Sequence, residues 1–318
     1  MLGAHADDPL TFGAGMAATG GAYTKFHPAT NGKLFADAAT EFIAGAQKPF
    51  FLYFAPNEIH SPHHPTKPVR GTSEAGIYGD VVHDLDLLVG RIIDAVKQKG
   101  AWENTIFFFT SDNGGVMTRD TLKAGHRANG ALQGQKSDIW EGGHRVPFIV
   151  RWPGRVNAGS ECGHFVCLTD VLATLADTTG QSLDVTKSPD SLSIVPLLDG
   201  KAPDTTRNDR AMILISGGSF PGIGVRQGNW MFIRDQGPGG VTTSGQIKPG
   251  GTGYAPYAEA CFTNDSLDGA GKPLPNAPAD QLYDLASDPA QKHNVIAKHP
   301  EIANRLAEYL ERSVPEKK

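Results

Sequence analysis

The sequence has little that would tie it to a nucleic acid, a bilayer or a disulfide framework. Lysine and arginine number 29 against 34 acidic residues, for a net charge of −5, and no basic block stands out. A polyphosphate backbone calls for a clustered positive face, so nucleic acid is not expected as a partner. No apolar run reaches the roughly 20 residues that a membrane-spanning helix needs, so no membrane partner is expected either. Cys162, Cys167 and Cys261 are an odd count without metal-type spacing, which excludes a disulfide set or a zinc site as the organising feature. The opening stretch MLGAHADDPLTFGAGMAATGG lacks a basic n-region and a continuous apolar core, so it does not match a signal peptide. It has no helical or strand periodicity either, and the chain contains no internal repeat.

What remains is the composition of an ordinary globular protein, with 39% hydrophobic and 20% charged residues in 318. That length suits one large domain and a smaller one. Residues 34–46 place Leu34, Phe35, Ala38, Ala39, Phe42, Ile43 and Ala46 at helical spacing. PFFLYF, 49–54, has the form of a buried strand and runs into the Pro- and His-rich loop APNEIHSPHHP. Residues 78–97 hold a three-four apolar pattern for five turns, and Gly100 is placed to end that helix. NTIFFFT, 104–110, then supplies a second apolar run. Strand, helix, strand at this spacing predicts a parallel crossover, and continuous apolar runs suit parallel strands covered on both faces. VPFIVRW, 146–152, is a third candidate strand, and 168–178 a further helix.

Beyond about residue 205 the pattern changes. The runs 211–216, 223–235 and 280–289 predict a small antiparallel sheet. The segment 300–313 is a helix opened by Pro300, with Ile302, Leu306, Tyr309 and Leu310 inward. Residues 236–256, rich in glycine, predict a long loop. The expected organisation is therefore an α/β core over 1–205 and a C-terminal subdomain over 206–318.

The chemistry concentrates in three loops. FFFTSDNGG, 107–115, ends a strand in Asp112 and Asn113, two hard oxygen donors suited to Ca²⁺ ahead of Mg²⁺, followed by two glycines. Ligands of open parallel sheets sit at the carboxyl ends of the strands. An Asx-turn would use the same residue types, so the stretch alone leaves both roles open. His60 follows the preceding apolar run and lies among prolines that restrict its loop; His63 and His64 are close by. Lys136 lies in LQGQKSDIWEGGHRVP between glycines, where an ammonium group is either a surface charge or an anion contact. Glu141 and Arg145 have the look of a structural pair that caps the loop.

These motifs, PFFLYFAPNEIHSPHHP, NTIFFFTSDNGG, LQGQKSDIWEGGHRVPFIVRWPG and LYDLASDPAQKHNV, resemble in order and spacing those of the formylglycine-dependent sulfatases of the alkaline-phosphatase-like superfamily, from about residue 34 onward. The resemblance implies an alkaline-phosphatase-like α/β fold, a mostly parallel sheet flanked by helices and N-terminally truncated, with a small C-terminal antiparallel α+β subdomain. It implies hydrolysis of a sulfate ester, with Asp112 and Asn113 as part of a Ca²⁺ site, and His60 and Lys136 as catalytic and sulfate-contacting residues. The substrate would be an aryl sulfate or other sulfated small molecule, or a sulfated glycan. Members are commonly periplasmic, secreted or lysosomal.

The departures from the family pattern are as informative. The formylglycine is made from the Cys or Ser of a C/S-x-P-S/A-R motif, and none occurs here. The paired aspartates that follow an N-terminal strand are also missing; Asp7–Asp8 and the Lys25/His27 pair only imitate family elements. The sequence therefore reads as the C-terminal portion of a sulfatase. Two alternatives stay open: a non-catalytic remnant that binds an anion or Ca²⁺, and a phosphodiesterase or phosphonate hydrolase of the same superfamily. A parallel sheet without its first strands is further expected to leave an exposed apolar edge.

Overall fold

A computed structural model of the chain describes residues 28–201, 209–217, 222–240, 242 and 254–314. Asp7, Asp8, Lys25 and His27 lie outside the described residues, as does most of the glycine-rich stretch 241–253. Compactness divides the chain into two units. One comprises the described residues of Met1–Thr105 with Asp120–His126; the other is Ile106–Arg119 with Arg127–Lys318. The change of pattern near residue 205 falls inside the second unit.

The first unit is built on two helices, α1 (Pro28–Gly45) and α2 (Gly76–Gln98). α2 buries Tyr78, Val81, Leu88, Ile92 and Val96, the stripe expected from its periodicity. Gly100, at φ +73°, closes it by donating its N–H to the carbonyl of Lys97. α1 departs from expectation. Its buried face is Gly32, Ala36, Ala39 and Ile43, while Leu34, Phe35 and Phe42 are exposed. The reason is close approach: a Cβ on Gly32 would run into the Glu58 carboxyl and the Leu88 methyl, so the small residues face α2 and the large ones turn away. Two aspartates of α2 hold the preceding loop. Asp80 accepts the N–H groups of Gly71 (2.7 Å) and Ser73 (2.9 Å), and Asp84 those of the Thr66 amide and hydroxyl.

The run 49–54 forms no ladder among the described residues. Its side chains alternate as in a strand, with Phe51 66% and Tyr53 80% exposed and Leu52 and Phe54 half-buried. The expected parallel crossover is accordingly not what pairs. β1 (Phe107–Thr110) instead pairs antiparallel with β2 (Phe148–Arg151), Phe108 opposite Val150. A helix between two apolar runs permits a parallel partner but does not choose one, and β1 takes its partner from later in the chain.

The short helix α3 (Arg119–Lys123) belongs to the first unit except for Arg119, and the second unit also contains the short helices α4 (Glu141–His144), α5 (Asp170–Thr178) and α6 (Val195–Leu198). Its C-terminal part is an antiparallel meander, β3 (Ala211–Ile215), β4 (Ile223–Gln227), β5 (Trp230–Arg234) and β6 (Gln281–Asp284). The stretch 223–235 is a hairpin turned at Gly228–Asn229, not one run. The last helix, α7 (Pro300–Ser313), lays Ala303, Leu306 and Leu310 on Val225, Phe232 and Leu282 to close this core. Ile302 and Tyr309 flank it half-buried.

A buried ion pair ties α5 to the start of β3. Both Asp170 carboxylate oxygens accept from Arg210 at 2.8 Å, and the same carboxylate accepts the N–H groups of Cys167 and Leu192. Removing one partner of such a pair strands a charge in the interior. Arg210→Ala is therefore expected to lower the unfolding free energy by about 3–5 kcal/mol. Urea unfolding followed by tryptophan fluorescence measures it, and a loss below about 1 kcal/mol would show that the pair is dispensable.

Candidate functional site

The chain leaves β1 at Thr110 and turns through Ser111–Gly115 into a tight backbone knot. The N–H of Gly114 donates to the carbonyl of Gly143 at 3.0 Å, and the N–H of Gly142 to that of Gln133 at 2.7 Å. Lys136 N–H donates to Gly115 O at 3.2 Å, and Asn129 bridges Gly115 and Gly134 through its amide. A Cβ at Gly114 would fall on the Gly142 carbonyl, one at Gly142 on that of Gly134, and one at Gly143 on that of Asp138. Gly114, directly after Asp112 and Asn113, is thus needed for backbone to touch backbone.

Buried glutamines fasten this knot to C-terminal segments of the chain, Gln281 of β6 among them. Gln133 Nε2 donates to the Ala290 carbonyl at 2.7 Å, and Gln135 bonds Met117 N, Thr242 Oγ1 and Ala255 O. Gln291 Oε1 accepts Glu141 N–H at 2.6 Å. Trp140, fully buried, donates its indole N–H to Gln281, which also accepts from the Tyr283 hydroxyl. Asp138 is buried and accepts from Gln135 N–H and from the amide and hydroxyl of Thr242. The carboxylate of Glu141, 1% exposed, pairs with Arg226 of β4 at 3.0 Å and Arg145 at 3.4 Å. The expectation that Glu141 and Arg145 act as a structural pair agrees with this, and Arg226 is the partner that sequence spacing could not supply.

The knot presents a pocket of about 270 Å³ within the second unit. Asp112, Asn113 and Lys136 all line it, with His144 and the end of β3 at Ile215–Gly217. Asp112 is exposed and Asn113 half-buried; Asn113 Nδ2 donates to the Gly114 carbonyl at 3.0 Å, which leaves the amide oxygen as its available donor atom. Lys136 is half-buried, and no carboxylate lies within ion-pair distance of it among the described residues. Ser137 beside it holds φ +75°, a left-handed backbone unusual outside glycine, and faces the Tyr254 hydroxyl.

His60 belongs to the first unit. It is exposed, and its Nδ1–H donates to the Ser61 carbonyl at 2.6 Å, leaving Nε2 as the free ring nitrogen. His63 stacks edge-on against Tyr78 at 5.4 Å and is held below the usual imidazole range by burial. Sequence reasoning missed Gln133, Gln135, Asp138, Gln281, Gln291 and His144. The alternation of glutamine and glycine just before Lys136 was the available signal, since amides bracketed by glycine suit a loop that must satisfy buried backbone.

Asp112 and Asn113 fit Ca²⁺ in kind, being hard oxygens at adjacent positions, but the ion takes six to eight oxygens. Among the described residues no group of three or more His, Cys, Asp or Glu is placed to hold a metal. The pair covers only part of a Ca²⁺ coordination shell.

Two outcomes follow. Gly114→Ala is expected to destabilise the second unit by at least about 2 kcal/mol through the clash with Gly142, whereas Gly90→Ala, with open space around it, stabilises α2. Paired denaturant melts compare them, and equal stabilities would refute the close-approach argument. Tyr257, packed at 6.2 Å from Trp140, has its phenol pushed up to about 12 by burial, with the charge of Asp268 adding. A raised pKa contributes stability that is complete below pH 10, where unfolded tyrosine begins to ionise, and is lost as pH rises through about 12. Ultraviolet titration of the phenolates should show a late class of tyrosines that ionise only as the chain unfolds; a single transition near pH 10 would contradict it.

Comparison with known proteins gives the same answer from three directions. A sulfatase family model matches residues 11–181. The chain is 31% identical over 280 residues to an N-acetylgalactosamine-6-O-sulfatase of Bacteroides thetaiotaomicron, covering 86% of this chain and 49% of that protein. It is 33% identical over 175 residues to the human N-acetylgalactosamine-6-sulfatase, covering 54% of this chain and 33% of the human one. A solved Bacteroides thetaiotaomicron structure, from a locus for the metabolism of multiple glycosaminoglycans, superposes with a TM-score of 0.71 at 28% identity, over 93% of this chain and 56% of its own. The chain thus spans about half the length, or less, of the curated relatives it matches. The fold is of the alkaline-phosphatase-like class, mixed α/β with an antiparallel subdomain. The chain belongs to the sulfatase family.

Proposed function

We propose that this chain provides the sulfate-contacting face of a sulfuric-ester hydrolase, and that the ester is carried by a sulfated glycan. The observation that carries this is the pocket that Lys136 lines together with Asp112 and Asn113, where no carboxylate among the described residues is within ion-pair distance of the ammonium group. A half-buried ammonium group in such a setting attracts a small oxyanion and draws charge from its oxygens as an S–O bond weakens. Asp112 and Asn113 would supply two oxygens to a Ca²⁺ ion, and such an ion would add positive charge beside the sulfate. By the family resemblance His60 would be a proton-holding residue, with Nε2 available for that role because its Nδ1–H is committed to Ser61. Similarity to N-acetylgalactosamine-6-sulfatases favours a 6-sulfated amino sugar over a simple aryl sulfate.

A second reading, an anion-binding remnant without turnover, is favoured by one observation: the sequence has no C/S-x-P-S/A-R from which the formylglycine nucleophile could form. The two readings predict the same binding and different chemistry. The 318-residue polypeptide is expected to bind inorganic sulfate and to hydrolyse a sulfated sugar, an aryl sulfate and phosphate mono- and diesters no faster than buffer. Lys136→Ala should weaken sulfate binding by about tenfold, a charge-assisted contact of roughly 1.5 kcal/mol. Calorimetric titration and a sulfate-release assay read these quantities. Turnover of the diester in preference to the sulfate would overturn the sulfatase reading, and turnover of the sulfate abolished by Lys136→Ala would overturn the remnant.

A further inference from the structure

His144 lines the same pocket as Lys136 and Asp112, on the last residue of α4. Its Nε2 lies 3.0 Å from the carbonyl oxygen of Ile139. A carbonyl only accepts, so Nε2 carries the proton and Nδ1 carries the lone pair. Nδ1 has no hydrogen-bond partner among the described residues. Burial lowers the pKa of the ring, and the opposing charge of Glu141, 4.0 Å from Nε2, is shared with Arg226 and Arg145. The pocket therefore offers a cationic donor in Lys136, oxygens in Asp112 and Asn113, and a neutral nitrogen acceptor in His144. Inorganic sulfate has no use for the last of these, since it brings only oxygen acceptors near neutral pH. A sugar sulfate does, because it carries hydroxyl and amide donors beside the ester.

Resting on the reading of this pocket as a sulfate-ester site, we infer that His144 is a specificity-determining residue, accepting through Nδ1 a hydroxyl or amide N–H of the sugar that bears the sulfate. The backbone supports the role. Gly143 and Gly142, locked against Asp138 and Gly134, fix where the next residue stands, and the Ile139 carbonyl fixes the tautomer. The volume of about 270 Å³ lies below the range of drug-sized sites, which suits one sugar ring with its sulfate.

The experiment compares wild type, His144→Phe and Lys136→Ala by calorimetric titration with inorganic sulfate and with N-acetylgalactosamine 6-sulfate. Nitrogen-15 NMR of the imidazole in the wild-type chain runs alongside. The expected result is that His144→Phe weakens the sugar sulfate by about 3- to 10-fold, one hydrogen bond's worth, and leaves inorganic sulfate unchanged. Lys136→Ala weakens both. In the free protein Nδ1 should give the shift of an unprotonated nitrogen and move on addition of the sugar sulfate. His144→Phe without effect on the sugar sulfate, or with equal effect on both anions, overturns the inference and leaves the sulfate-site reading standing. An Nδ1 that is protonated in the free chain at neutral pH overturns it independently of any titration. Failure of wild type to bind either anion removes the functional reading, and this inference with it.

Discussion

Close approach of backbone to backbone at Gly114, Gly134, Gly142 and Gly143 is the constraint on which the candidate site depends. Side chains at Gly114, Gly142 and Gly143 would occupy space already filled by carbonyl oxygens, and Gly134 holds φ +87° tight against Trp140. Because they are absent, the turn after β1 and the loop before β2 can share hydrogen bonds directly, and the Asp112–Asn113 pair comes to stand beside Lys136. The antiparallel β1–β2 ladder enforces the same meeting from the other side, since it brings Thr110 opposite Phe148 and so returns the loop to its origin. Nothing about Asp112 or Lys136 individually requires their proximity. It is a property of the knot.

A division of labour follows from burial. Among the groups that line the pocket, Asp112 is exposed and Asn113, Lys136 and His144 are half-buried. The groups that hold them make many internal contacts and are sealed. Gln133, Gln135, Gln281 and Gln291 satisfy backbone donors and acceptors that a loop carried into the interior would otherwise leave unpaired. Glu141 does so with charge, and its pairing with Arg226 links the loop to the second strand of the meander. Arg226 in turn lies over Phe165, as does Arg210, whose partner Asp170 begins α5. The small C-terminal sheet is in this sense part of the site, because it supplies the walls against which the lysine loop is set.

Much of the architecture was legible, and the misses have specific causes. α2 and α7 were readable because each buries a wide apolar stripe with clear start and stop residues. α1 misled because its large residues and its small residues both recur at helical spacing. Hydrophobicity favours the large set, and the contact with α2 selects the small one through Gly32 and Ala36. The pair at 223–235 concealed a reversal because Gln-Gly-Asn is a weaker turn signal than Asn-Gly. The partner of β1 could not be inferred at all, since strand order along the chain does not specify pairing.

By itself, the sequence determined the family, through four motifs in order, and it determined the chemical types available: one carboxylate–amide pair, one loop lysine and a proline-framed imidazole. It also determined that no motif for the formylglycine nucleophile is present. Only the tertiary structure decided which of these groups share a pocket, that Asp138 and Glu141 are buried within hydrogen-bond and ion-pair networks while Lys136 stays half-buried at the pocket, and that His144 lines the same pocket. The reason is physical. Residue identity sets what a side chain can donate, accept or charge, whereas solvent exposure and the occupation of its hydrogen bonds are set by neighbours from elsewhere in the chain.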